Sequence, residues 1–256
     1  MKQILLITDG CSNVGISPEM AAAHARGQGI TVNVIGVVDG GLIGEHGAEE
    51  IAETAQAGGG MSKIVAPSML SQTVQMLTRK TVISTLQQVV NQELRHILGP
   101  EQGELTELSP ERRGEVVHLV EELSESASLQ IALLVDTSAS MKPKLGAVEE
   151  AIRDLMLSLQ ARQGISEVAV FHFPGPAGQD DAACQLTSWS RDVSALPRLF
   201  GRLKMKGNTP TGPALLHVVE AIASAGGTAK QLREPVRTAR VIQSPRKEGM
   251  FGEYLV

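Results

Sequence analysis

Aromatic residues are scarce: four Phe, one Trp and one Tyr in 256 positions. Base stacking needs such rings, so a single-stranded nucleic acid is not the expected partner. Positive charge is short as well. Lys and Arg number 23 against 28 Asp and Glu, and the formal net charge of −5 has the wrong sign for gripping a phosphate backbone. The two cysteines, Cys11 and Cys184, are too few and too far apart for a disulfide framework or a thiolate metal site. Isolated thiols suit a reducing compartment. Long apolar runs are missing too. No stretch approaches the roughly 20 apolar residues of a membrane span. The N-terminal run in MKQILLITDG is cut off by Asp9, too short for a signal peptide. A cytoplasmic protein without membrane or nucleic-acid partners is expected. Nor is there a Gly-x-Ser-x-Gly elbow, a P-loop or a pair of zinc-spaced histidines.

What is present suits a globular protein with a substantial core: 42% hydrophobic and 20% charged residues. QILLIT (3–8) and ITVNVIGVV (30–38) are continuous apolar runs rich in β-branched residues, as in strands buried on both faces. Ser17-Pro18-Glu19 opens a helix through Arg26, stopped by Gly27 and Gly29. Residues 48–57 predict a short helix ended by Gly58-Gly59-Gly60, and 62–66 an edge strand. Together these make β-α-β-α-β, the order of a parallel sheet covered by helices. From 67 to 128 the strand signal stops. Leu70, Val74, Leu77, Leu86, Val90, Leu94 and Ile97 recur at helical spacing, 99–110 is a polar linker, and Ser109-Pro110-Glu111 opens another helix. This block is expected to be a helical connector.

A second α/β stretch covers 129–225. LQIALLV (129–135) is a buried strand, 147–162 an amphipathic helix and 166–173 a strand; 182–189 is expected as an antiparallel edge strand after the hairpin-like segment 174–181. Residues 193–203 and 210–225 predict helices. From 226 to 256 basic residues sit among few apolar ones, and an irregular tail is expected.

Both α/β stretches contain a strand that runs into aspartate: LLIT before Asp9-Gly10, and ALLV before Asp136. In a parallel sheet both carboxylates emerge at the edge where ligands bind. If the strands are neighbours, Asp9 and Asp136 converge with Ser138 and Ser140, and Thr209 in GNTPTGPAL supplies a further hydroxyl. Carboxylates and hydroxyls without imidazole or thiolate form a hard-oxygen set suited to Mg²⁺ or Mn²⁺. Thr211 competes with Thr209 for that role. Asp39 and Asp180-Asp181 read as solvated loop carboxylates, and His172 as a packed core residue.

These motifs, Asp136-x-Ser138-x-Ser140, then Thr209, with Thr8-Asp9-Gly10, resemble the metal-ion-dependent adhesion site of von Willebrand factor type A domains. The order differs, because that family places the Asp-x-Ser-x-Ser strand first. Residues 1–66 are similar to the family's second half and 129–225 to its first, as in a circular permutation, which is physically cheap because domain termini often lie close together. In size and opening motif the chain also resembles small permuted proteins of this kind from spore-forming bacteria, which would imply a role in sporulation. The resemblance implies a Rossmann-like three-layer α/β/α fold, mostly parallel with one antiparallel edge strand. It further implies that Ser138, Ser140 and Thr209 ligate Mg²⁺, that Asp136 and Asp9 hold metal-bound waters, and that a carboxylate of a partner protein completes the shell. The expected function is therefore non-enzymatic, metal-dependent protein binding. The same element order allows the halves to close between two chains as a swapped homodimer.

Two other functions compete. A phosphohydrolase of the haloacid dehalogenase type also places an aspartate after a buried strand, but it needs a second carboxylate two residues on, where this chain has Ser138. A metal-free scaffold would instead use the connector or the tail as its contact surface.

Overall fold

Ile4, Leu5, Leu6 and Ile7 are all buried because their strand, β1 (Lys2–Thr8), lies inside the sheet with both faces covered. Each such side chain contributes about 1.5–3 kcal/mol by leaving water, which explains a run without polar alternation. The computed structural model describes residues 1–10, 12–39, 44–98, 109–175, 182–192 and 208–231. Within it, β1, β2 (Ile30–Val37), β3 (Gly59–Val65), β4 (Leu129–Asp136), β5 (Ser166–Phe173) and β6 (Cys184–Gln185) form a six-stranded sheet ordered β3-β2-β1-β4-β5-β6. All neighbours pair parallel except β5 and β6, which pair antiparallel. The architecture is a Rossmann-like α/β sheet with helices on both faces.

Alternate residues of β1, β2, β4 and β5 feed two separate cores. Leu5, Ile7, Ile131, Leu133 and Val135 pack with Leu70, Val74 and Leu77 of α3 (Leu70–Leu98) and with Val148, Ile152 and Leu155 of α5 (Leu145–Gln160). Ile4, Leu6, Ala132 and Leu134 pack on the other face with α1 (Pro18–Gly27), α2 (Glu45–Ala57) and α6 (Thr211–Gln231). α4 (Pro110–Ser126) lies against α3 and buries Val120 and Ser124. Ser17 caps α1 as expected, its hydroxyl accepting from the Met20 N–H at 3.4 Å.

Several boundaries differ from the sequence reading. β3 begins at Gly59 rather than at 62, because the pairing with β2 shifts register between Val32 and Val34. Asn33, buried at that shift, fills it: its side-chain oxygen accepts the Met61 N–H at 3.0 Å, and its amide donates to Thr81 of α3 at 2.9 Å. α4 runs to Ser126, leaving only Ala127 and Ser128 before β4. The expected edge strand over 182–189 contracts to Cys184–Gln185 plus one bridge between Val168 and Ser190. The expected irregular tail also needs correction, since α6 continues through 226–231. Gly226 and Gly227 cost only about 1 kcal/mol each inside a helix, too little to end one already anchored by Leu215, Val218 and Ile222. The helix expected over 193–203, most of the 99–110 linker, Cys11, Asp180, Asp181 and the tail from 232 lie outside the described residues.

Candidate metal centre

β1 and β4 are neighbours in parallel register, with Ile7 opposite Val135, so Thr8-Asp9 and Asp136 leave the sheet side by side at its carboxyl edge. Asp136 is fully buried and both its oxygens are used. Oδ1 accepts the Ser138 N–H at 2.8 Å, and Oδ2 accepts the Thr8 hydroxyl at 2.8 Å. From Ser138 the chain turns into a short 3-10 helix, Ala139–Lys144. Ser138 begins that helix, yet its hydroxyl does not cap it. It faces the Ser140 hydroxyl instead, at 3.1 Å. Ser140 in turn donates to Asp9 Oδ1 at 2.9 Å, a contact spanning 131 positions of sequence. Asp9, Asp136, Ser138 and Ser140 are thus brought together.

Thr209 is tied by its backbone to the loop after Asp9 rather than to the other four residues. Its N–H donates to Asn13 Oδ1 at 2.9 Å, while its carbonyl accepts the Asn13 N–H and the Ser12 hydroxyl, each at 3.2 Å. The turn before α6 is therefore stitched to the loop that follows Asp9. Two glycines permit the approach. A Cβ on Gly212 would overlap the Ile16 carbonyl, and Gly15, at φ +89°, sits against the Pro213 ring. Among the described residues, no hydrogen bond links the Thr209 hydroxyl to the other four. The hydroxyl of Thr211 is buried with no partner.

Electrostatics set the two carboxylates apart. Burial pushes the Asp136 carboxyl above the usual carboxylate range; the charge of Asp9 adds to this, while hydrogen bonds from Ser138 and Thr8 work against it. The Lys144 ammonium bonds Asp9 Oδ2, with both side chains almost wholly buried. Glu50 of α2 also accepts the Ser12 N–H, at 2.7 Å, and burial raises its pKa as well.

Lys144, Asn13, Ser12 and Glu50 were not singled out from the sequence. Asn13 and Ser12 follow the Asp9 motif directly, which was a usable signal. Lys144 and Glu50 had none, because their partners lie 135 and 38 positions away. His172 is a buried residue beside the Thr137 hydroxyl, at 3.2 Å from Nδ1, and Asp39 is exposed. Among the described residues, no three His, Cys, Asp or Glu side chains gather as a metal-holding group. Any cation here needs hydroxyl oxygens; the set offers two carboxylates and paired serine hydroxyls, with the Lys144 ammonium already seated on one oxygen of Asp9. No helix among the described residues is long and apolar enough to cross a membrane.

No family model matches the chain. The uncharacterized protein YabS of Bacillus subtilis (strain 168) is 50% identical over 215 residues, covering 84% of this chain and 86% of YabS. The crystal structure of an uncharacterized protein from Alicyclobacillus acidocaldarius superposes with a TM-score of 0.81 at 43% identity, over 90% of this chain and 96% of that one. A far weaker likeness, TM-score 0.25 at 15% identity over 81% of this chain and 43% of the other, is to the mussel byssus proximal thread matrix protein 1 with a zinc-occupied adhesion-site motif. At that level nothing carries over to this chain. Identity over most of both lengths is decisive, and the chain belongs to the family that contains Bacillus subtilis YabS and the Alicyclobacillus protein.

Proposed function

We propose that the chain is a non-enzymatic, divalent-metal-dependent protein-binding module. In this reading Ser138, Ser140 and Thr209 ligate Mg²⁺ or Mn²⁺, Asp136 and Asp9 hold waters on it, and an Asp or Glu of a partner protein completes the shell. The metal's contribution is Lewis acidity toward that carboxylate; the chain contributes a rigid oxygen cradle. The observation that supports it is the hydrogen bond from Ser140 to Asp9, which joins the two strand-end motifs into one oxygen cluster. Hard cations favour such a set. The permuted von Willebrand type A reading belongs to the same proposal. It draws support from β1 lying beside β4 and from α3 and α4 running between the end of β3 and the start of β4.

A second reading draws on Lys144. If its ammonium neutralises Asp9 permanently, the fold works as a metal-free scaffold. Titration with Mn²⁺, followed by water-proton relaxation, separates the two. Metal binding by the wild type, lost in Asp9→Ala and in Asp136→Ala with the circular dichroism spectrum retained, supports one site built from both ends of the chain. No binding at millimolar Mn²⁺ sinks the metal reading.

A further inference from the structure

Lys144 closes the 3-10 turn that starts at Ser138 and stands immediately before α5. A lysine with a side chain only 9% exposed is unusual, since its ammonium loses most of its hydration. Among the described residues its burial is compensated by Asp9, whose side chain is 3% exposed. Asp9 therefore divides its two oxygens between a cation, Lys144, and the serine hydroxyl chain that leads to Ser138. Together Asp9, Asp136 and Lys144 carry a net charge of −1. Glu50 is turned to the Ser12 amide on the loop after Asp9.

Resting on the metal reading above, we propose that Lys144 sets the charge of the loaded centre and so makes it selective for an external carboxylate. With a divalent ion the cluster comes to +1, which a single partner carboxylate brings to zero. Without the lysine the loaded cluster would already be neutral and would have little call for an anion. The ammonium thus works in opposite directions on the two binding steps. It repels the metal, with which it shares Asp9, and it leaves the bound metal short of negative charge. Among side chains this buried, such charge effects are weakly screened. Lys144 is a positioning and charge-setting residue in this scheme, not a ligand.

The test uses the full-length chain, Mn²⁺ as the metal and acetate as the carboxylate probe, with Lys144→Gln and Lys144→Arg. Gln keeps a donor for Asp9 and removes the charge; Arg keeps the charge. Mn²⁺ affinity is read by the free-ion electron paramagnetic resonance signal, and acetate binding by the loss of water-proton relaxation enhancement from bound Mn²⁺. The expected result is at least tenfold tighter Mn²⁺ binding and at least tenfold weaker acetate binding in Lys144→Gln, with Lys144→Arg near wild type in both. Mn²⁺ binding by Lys144→Gln alone overturns the proposal, since a wild type that excludes the metal has no loaded centre whose charge Lys144 could set. Equal Mn²⁺ and acetate affinities in wild type and Lys144→Gln overturn the role of Lys144 and leave the metal reading standing. Absence of Mn²⁺ binding in all three proteins overturns both.

Discussion

Asp136 is held in a site that disfavours its own charge. Burial is the largest cause, and the nearby Asp9 adds to it. A carboxyl whose folded pKa is raised binds its proton more tightly in the folded chain than in the unfolded one. Its stabilising contribution is full below the unfolded pKa and is lost as pH rises through the folded value. Without divalent ions, stability should therefore decline as pH climbs out of the ordinary carboxylate range. Asp136→Asn removes the penalty and keeps the contacts. Its oxygen can accept the Ser138 N–H, and its amide can donate to Thr8, whose hydroxyl then turns to the Gly10 carbonyl at 3.3 Å. At neutral pH without metal, Asp136→Asn should melt above wild type. Asp136→Ala strands the Ser138 amide and should fall about 1–3 kcal/mol below Asp136→Asn. Thermal melts from pH 4 to 8 check both. Equal melting temperatures for the Asn variant and wild type across that range would mean that Asp136 carries no such burden.

The elements that carry the cluster were legible where one segment determines its own structure. β1, β2, β4 and β5 announce themselves as apolar runs because both of their faces are buried. The α1 start was legible because Ser17 caps through a local contact. What escaped was whatever depends on a distant partner: the early start of β3, completed by Asn33 and Thr81, and the tie from Glu50 to the loop after Asp9. Of the candidate site, five oxygen-bearing positions were read from motifs, whereas their cation Lys144 was not. The Glu50 tie has a consequence for the element it holds. Ser12 and Asn13 fix the backbone of Thr209, and Glu50 fixes Ser12. Glu50→Ala should free the Ser12 amide and speed its hydrogen exchange at least tenfold, while Glu50→Gln, which still offers an acceptor, should stay near wild type. Amide exchange followed by NMR distinguishes them; unchanged exchange in Glu50→Ala would mean the loop is held without Glu50.

At the scale of the whole molecule, the cluster is a seam. Asp9 follows β1 in the stretch that opens the chain; Asp136 ends β4, beyond the two connector helices, and Ser138 and Ser140 follow it. The seam's bonds are the Ser140–Asp9 and Thr8–Asp136 hydrogen bonds and the Lys144–Asp9 ion pair, all crossing from one half of the sheet to the other. Separating β1 from β4 therefore destroys the site and splits both hydrophobic cores at once, since each strand contributes to both. A ligand bound at the seam is linked to global unfolding, because the unfolded chain cannot assemble donors from positions 9 and 136–140. For a metal at one hundred times its dissociation constant, linkage contributes about 2.7 kcal/mol. In a chain of this size that corresponds to a rise of about 5–10 °C in melting temperature. Saturating Mn²⁺ should raise the wild-type transition by that amount while keeping it a single step, and the rise should vanish in Asp9→Asn and in Asp136→Asn alike. A shift that survives either substitution would place the ion elsewhere on the molecule. A transition that splits in two would mean the halves unfold separately and the seam does not couple them. Because metal offsets the penalty on ionised Asp136, the same ion should also flatten the alkaline decline in stability, tying the behaviour of one carboxyl to that of the whole fold.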